Sequence, residues 1–532
     1  MRSRSRSWMH PASYAGATRS QAATAISASM WSSEAAQPSG TAPTSGSSAP
    51  AALASPPPSG VAGASVASPV ELLPRVDLLL ALVQRVTQGF NVQVWAEARA
   101  LGYDAFLEQQ LAPEALDDGQ LEQKLAPFAS LAQTGPQLLA NYPHPSLSKQ
   151  VPLELKSAML LRSVHSRRQL FERHLEFLTD HFSIDHFDGA ERFLKTLDDR
   201  DVLRENAFGR FGALLRASAH SAAMLHYLDN HANVKGKPQE NYARELLELH
   251  SLGVGGGYSE ADVKEVARCL TGWSFHDYND PAHFGEFVYV AENHDEGAKL
   301  VLGNALGPGG GKSDGDFVLS LLSAHPATRE FVCRKLCRWY LAYDPPESVV
   351  EAAQQSWLAS GGELRSVLRT ILSQESLAAA QAWKKGKLKR PFHFASSLLR
   401  ALGADVHDAG GVLGALTTMG QLPYDWPAPN GYPDALVAWS GGLHGRWTFA
   451  SNLLDGAIAG IELDANSVLA ALGHPLPSDA GRAINALLTG GTMRPNDEAA
   501  VQAYVDSFPN VDWPVLREAI ALAASSPSYQ WY

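Results

Sequence analysis

The feature that most constrains this chain is the recurrence of apolar side chains at three- and four-residue spacing from about Val70 onward. Leu72, Val76, Leu79, Leu80 and Val83 begin it. That spacing places apolar groups on one face of an α-helix, and a chain that repeats it for hundreds of residues must bury helix against helix. Further helices are expected over Ala96–Leu111, Leu153–Phe182, Leu203–Leu228 and Asn241–Leu252. The last is stopped by Gly253 and Gly255–Gly257. Ser259 and Asp262 form a capping-box pattern for a helix to about Leu270. The pattern returns over Phe317–Leu341, Pro346–Trp357, Leu364–Leu372 and Pro391–Leu402, and again in several segments from Trp447 to the end.

Leu116–Leu139 is weaker and reads as containing a long loop. Only Phe284–Val290 and Lys299–Leu302 read as strand, flanking a polar turn with Asn293, His294 and Gly297, which predicts one hairpin. The expected fold is therefore mostly α: one large helical domain over residues 70–532 with a small β-hairpin.

Residues 1–69 are unlike the rest. Ser, Ala, Pro, Gly and Thr dominate, and Pro56–Pro58 sit in surroundings that cannot build a core, so a disordered leader or linker is expected. Arg2, Arg4 and Arg6 resemble the basic start of an export signal. The best apolar stretch, Ala22–Met30, is interrupted by Thr24, Ser27 and Ser29. Four arginines against Glu34 give this segment +3, which leaves −15 of the overall −12 for the body. An acidic body argues against nucleic acid as a partner. No apolar run is long enough for a transmembrane segment, and three cysteines exclude a disulfide scaffold.

Several long strings carry a specific resemblance: QRVTQGF with LGYDAFLEQQLAP, LTDHF, AAMLHYLDN, ENYARELLELHSLGVGGGYSEADVKEVARCLTGW, HDEGAKLVLG, HPATREFVCRKL, KLKRPF with LLRALG, and GQLPYDWPAPNGYPDALVAW. In these strings, from about Pro74 to Ala459, the chain resembles the bacterial family called domain of unknown function 1800. It departs from the usual strings at Leu178, Ala222, Gln239 and His393, the last standing where an acid is common. The resemblance implies a helical fold and export to the periplasm or beyond. It also implies a co-encoded companion of the domain of unknown function 1501 family, which is sulfatase-like. It implies no reaction.

Chemistry must be sought in the residues. Eleven of 18 histidines lie between His165 and His294, interleaved with carboxylates such as Asp180, Asp188, Asp277 and Asp295. Imidazole and carboxylate suit a divalent metal, and His181, Asp229, His294 and Asp295 are the candidate ligands. No tight ligand motif exists among them, and hydrogen-bonded histidines without metal are the alternative.

On the Asn241–His250 helix, Arg244 falls one turn from both Glu240 and Glu248. Glu245 and Glu248 are candidate acid/base residues, with Arg244 orienting a carboxylate and His181 polarising; a solvated, salt-bridged face is the alternative. Candidate substrate contacts are Asn241 and Tyr242, Asp229 and Asn230 at a helix end, and Trp273, Trp426 and Tyr432, whose flat faces suit sugar rings. Asp229–Asn230 also suits a plain turn, and the Pro-rich aromatic loop from Leu422 to Pro433 also suits self-packing. Lys384, Lys385, Lys387, Lys389 and Arg390 form the one dense basic run, readable as a glycan contact or a solvated helix start. The loop from Gly307 to Ser313 is one residue short of a phosphate-binding loop, and Cys333 and Cys337 read as buried thiols.

Two functional classes follow. The first is an exported enzyme, a hydrolase or lyase, cleaving an extracellular polymer such as a glycan by acid/base chemistry, with or without a divalent metal. The second is a non-catalytic binding or assembly partner of the sulfatase-like companion. A metal-dependent oxidoreductase is a weaker third.

Overall fold

Helix follows helix through nearly all of the computed structural model, which describes residues 77–143, 147–186, 189–382 and 386–532. The leader, the helix start at Leu72 and Val76, Asp188, and Lys384 and Lys385 lie outside the described residues.

Local chemistry sets the element ends. Asp77 Oδ1 accepts from the amides of Leu79 and Leu80 at 3.0 and 3.1 Å, capping Leu78–Val86. The capping box is formed: Ser259 Oγ accepts from Asp262 N, while Asp262 Oδ2 accepts from Ser259 N at 2.9 Å, opening Glu260–Cys269.

Several long expectations divide. Leu153–Phe182 is two helices, Gln150–His165 and Gln169–His181, with Ser166 extended between them. Phe317–Leu341 breaks at His325, whose Nδ1 accepts from Ala327 N and whose successor Pro326 starts Pro326–Tyr340. The weak stretch near Leu116 holds short helical turns rather than one long loop.

The strands pair differently from expectation. Phe287–Tyr289 pairs antiparallel with Trp273–Phe275, Trp273 opposite Tyr289. Lys299–Val301 pairs with Asn304–Leu306, and a third two-residue pair joins Asp405–Val406 to Ile461–Glu462. The helical class holds, with three two-stranded sheets among the described residues.

Two apolar cores organise the body. One draws on residues between Ala81 and Ala380. The other combines Leu121, Leu125 and part of Gln150–His165 with residues from Phe392 to Tyr529. The Gln150–His165 helix serves both, offering Val151 to the first and Ala158, Leu161 and Val164 to the second.

Candidate functional site

Between the two cores runs a seam of buried charge. Eleven of the 13 residues of Gln169–His181 are buried, although the helix carries Glu172, Glu176 and Asp180 at four-residue spacing. Such a row is tolerable only if every carboxylate is met by a donor. Arg390 spans two of them, donating from Nη1 to Asp180 Oδ2 at 2.6 Å and from Nη2 to Glu176 Oε1. Gln88 and Arg173 complete Glu176 at 2.9 and 3.1 Å. Arg204 holds Glu172 through both terminal nitrogens and Asp199 through Nε, and Tyr424 Oη donates to Asp199 Oδ1 at 3.0 Å. Burial works to raise the Glu176 carboxyl, but Arg390 and Arg173 outweigh it and hold Glu176 below its usual range.

Three strings distant in sequence meet here: LTDHF, KLKRPF and the Pro-rich loop. Gly431 shows how closely. A Cβ on Gly431 would lie 2.2 Å from the Asp180 carbonyl oxygen, and its φ of +70° excludes most side chains in any case. The described part of the basic run is therefore no solvated helix start: Lys387, Lys389 and Arg390 are all buried. Lys387 Nζ donates to Asp434 at 2.6 Å, and burial pulls its ammonium down to about 7. His393 is ringed by Arg173, Lys389, Arg390 and Arg85, which add to burial in keeping it neutral.

The seam has no room for a substrate. Its two voids measure about 10 and 20 Å³ and share Met159, Thr179, Phe392 and Tyr424 in their walls. That is about one water each.

The structure does not gather the candidate metal ligands. His181 Nδ1 accepts from Lys335 Nζ at 3.0 Å, and its Nε2 faces the His250 carbonyl at 3.3 Å, so neither nitrogen is free for a metal or for proton transfer. Burial, then Lys335, pushes its pKa well below the usual value. His294 turns Nδ1 to the Thr271 carbonyl at 2.8 Å and Nε2 to Asp314. Asp295 is clamped by Arg268 at 2.8 and 3.1 Å. Asp229 occupies a left-handed turn position, φ 61°, before Asn230–Ala232.

Three candidate substrate contacts are sealed. Asn230 is wholly buried and donates to the carbonyls of Leu270 and Trp273, a structural pin. Trp273 is wholly buried against His220 and Phe287. Tyr242 is buried beside His250. Trp426 and Tyr432 are half-buried and serve the loop itself: Trp426 Nε1 donates to Asn430, and Tyr432 Oη donates to the Leu422 carbonyl.

Asn241, Arg244, Glu245 and Glu248 stay half-exposed on Glu240–Glu248. Arg244 makes a bidentate pair with Glu260 at 2.7 Å, rather than with Glu248. Among the described residues, the Glu245 carboxylate has no hydrogen bond or ion pair; burial, then Glu248, raises it to about 7. Glu248 is raised by burial as well.

Two His-containing clusters have ligand atoms within 4.8 Å of one another among the described residues. In one, Asp185–His186–Asp425, His186 Nδ1 donates to the Tyr424 carbonyl at 2.7 Å and Lys156 already supplies the cation, 3.1 Å from Asp425. The other, His276–Asp280–His283, lies in the long loop between the first two strands.

The concave surface lies elsewhere. A groove of about 630 Å³ is walled by Pro136, Leu139, Tyr142, Pro143, Gly189, Arg192, Phe193, Tyr278 and Pro281, a volume suited to a small ligand or a short polymer segment. Tyr278 is half exposed, and Arg192 is fixed by the Gly189 carbonyl and Ser148 Oγ. Behind Gly189 sits a dyad: His226 Nδ1 lies 2.6 Å from Glu191 Oε1. A Cβ on Gly189 would stand 3.0 Å from Glu191 Oε2 and 3.3 Å from His226 Cε1, so the dyad packs directly against this residue of the groove wall. His231 stacks on His226 with centroids 4.9 Å apart. A carboxylate on Nδ1 fixes the tautomer and leaves Nε2 as the basic nitrogen. Sequence reasoning counted His226 only as one of eleven histidines and passed over Glu191. The AAMLHYLDN string was the available signal for the first; nothing marked the second.

Fold and site thus define a helical protein with a buried ionic seam and a half-open aromatic groove. The model of the family described as "Protein of unknown function (DUF1800)" matches residues 81–531, and the chain belongs to that family. The match runs well beyond Ala459, through the second core. No curated protein and no solved structure matches the chain.

Proposed function

We propose that the chain is an exported acid–base enzyme that cleaves an extracellular polymer, with the substrate in the Tyr142–Tyr278 groove and His226 as the general base. The observation that carries this reading is the His226–Glu191 dyad, 2.6 Å apart and adjoining Gly189, a residue of the groove wall. Glu191 orients the ring and stabilises the imidazolium formed when Nε2 takes a proton; such assistance supplies roughly 10²–10⁴-fold in rate. Tyr278 offers an exposed flat face over the buried edges of Tyr142 and Phe193, and Arg192 a fixed cation, a wall suited to an acidic glycan. Glu245, half-exposed with its carboxyl near neutrality, is the second acid/base candidate.

The test is reducing-end release from a panel of neutral and acidic polysaccharides. His226→Gln is expected to cut kcat at least 100-fold while leaving KM within threefold, and Tyr278→Ala to raise KM. Full activity of His226→Gln on a cleaved substrate would end the assignment. An assembly role beside the sulfatase-like companion is the second reading. It is supported by the exposure of Leu436 and Val437, the latter 86% exposed, next to the Pro-rich loop. Co-purification abolished by Val437→Glu, with no polysaccharide cleaved, would favour it.

A further inference from the structure

The loop between Trp273–Phe275 and Phe287–Tyr289 is longer than a hairpin needs, and it carries two imidazoles aimed at one oxygen. His276 Nδ1 lies 2.9 Å, and His283 Nδ1 3.0 Å, from the same atom, Asp280 Oδ2. The rings stand 5.3 Å apart by centroid. We propose that His276, Asp280 and His283 bind one divalent ion of the zinc class.

The geometry is near what such an ion requires. Metal–ligand bonds of 2.0–2.2 Å in a tetrahedron put ligand atoms about 3.3 Å apart, a few tenths of an ångström beyond the contacts to Asp280. The donor set, two imidazoles and one carboxylate, suits zinc, cobalt or nickel rather than calcium or magnesium. His283 is more than half exposed and the site is open, so water completes the shell.

The loop is ordered before any ion arrives. His276 N donates to the Glu286 carbonyl and Gly285 N to the His276 carbonyl, extending the strand pair. Asp280 N donates to the Asp277 carbonyl, and His283 N to the Asp280 carbonyl. Asn279 N is held by Asp277 Oδ1. Little ordering entropy is left for binding to overcome.

On binding, each imidazole presents the Nδ1 lone pair and carries its proton on Nε2. A ring that was doubly protonated releases one proton to solvent. Asp277 and Glu286 add negative charge nearby, and no lysine or arginine pairs with Asp280 among the described residues. The feature distinguishes this site from Asp185–His186–Asp425, where Lys156 takes the cation's place. The same loop supplies Tyr278 and Pro281 to the groove, so a bound ion would also brace one groove wall. The ion site does not depend on the proposed enzyme activity.

The test is a titration of the full chain, prepared without a histidine tag, with Co²⁺ alone at pH 7.5, followed by displacement with Zn²⁺. One equivalent with the visible absorption of a low-coordinate cobalt site is expected. The pair His276→Gln/His283→Gln should weaken binding at least tenfold with an unchanged circular dichroism spectrum; His474→Gln, on a distant exposed turn, should leave it intact. Asp280→Asn alone should also weaken it. The proposal is overturned if the wild-type chain gives no saturable site below 100 µM metal, or if the double variant binds as the wild type does.

Discussion

The histidines of this protein fall into two environments. His174, His181, His250 and His393 lie inside the body with no more than 2% of their surface exposed, and burial is the main reason each is held neutral far below its usual pKa. His226, His276 and His283 sit nearer the surface, with 29, 31 and 56% of their side chains exposed, each against a carboxylate. The inner set is packing: His181 stacks on Phe177 and meets Phe182 edge-on. The outer set keeps ring nitrogens within reach of both a carboxylate and solvent. Density of a residue type along a sequence therefore says little until burial divides it.

Acid should expose the difference most. A group whose pKa is depressed in the fold contributes stability that is whole above its unfolded value and is lost as the pH falls toward the folded one. For the inner histidines that window opens near 6.5 and extends toward about 3, the value reached by His174 and His250. The melting temperature should begin to fall above pH 5, before ordinary carboxylates titrate. A profile flat from pH 6.5 to 5 would show that these rings are not buried as described.

The second prediction concerns the seam. Arg390→Met leaves Asp180 with only the Tyr432 amide and Glu176 with only Arg173 and Gln88, and losing one member of a buried ion pair costs about 3–5 kcal/mol. Denaturant unfolding, or failure to accumulate folded protein, measures it; a loss below about 1 kcal/mol would mean that water reaches the seam. The smallest effect is expected at Arg244→Ala. Its partner Glu260 is 70% exposed, and such pairs contribute about 0–1 kcal/mol. The same unfolding assay would place Arg244 in a more demanding role if the loss were several-fold larger.

What was legible in the sequence was local. The capping box at Ser259 and the helical periodicity needed only neighbours within a turn, and both were read. The strand pairing was not, because three-residue strands carry too little alternation and the partner of Phe287–Tyr289 lies upstream, across the loop holding His276 and His283. Arg244 was assigned to Glu240 and Glu248 on its own helix; the Glu240 pair forms at 3.5 Å, but the closer, bidentate partner Glu260 reaches it from the next helix. Lys387, Lys389 and Arg390 read as solvated because a charge run ordinarily is. Their partners lie far along the chain, Asp180 and Glu176 more than 200 residues before Arg390, Asp434 47 residues after Lys387, and the Tyr529 ring under Lys389, which no short-range pattern reveals. The dyad was missed for a related reason: Glu191 and His226 lie 35 residues apart.

The ionic seam also has a consequence in time. Asp180 and Arg390 are separated by 210 residues. At 5–20 residues per second, a ribosome needs roughly 10–40 s to deliver the guanidinium after the carboxylate has been made. Throughout that interval Asp180 lacks its only ion-pair partner among the described residues, while Glu176 has Arg173 and Glu172 gains Arg204. The Asp180–Arg390 contact can therefore form only after most of the chain has been made.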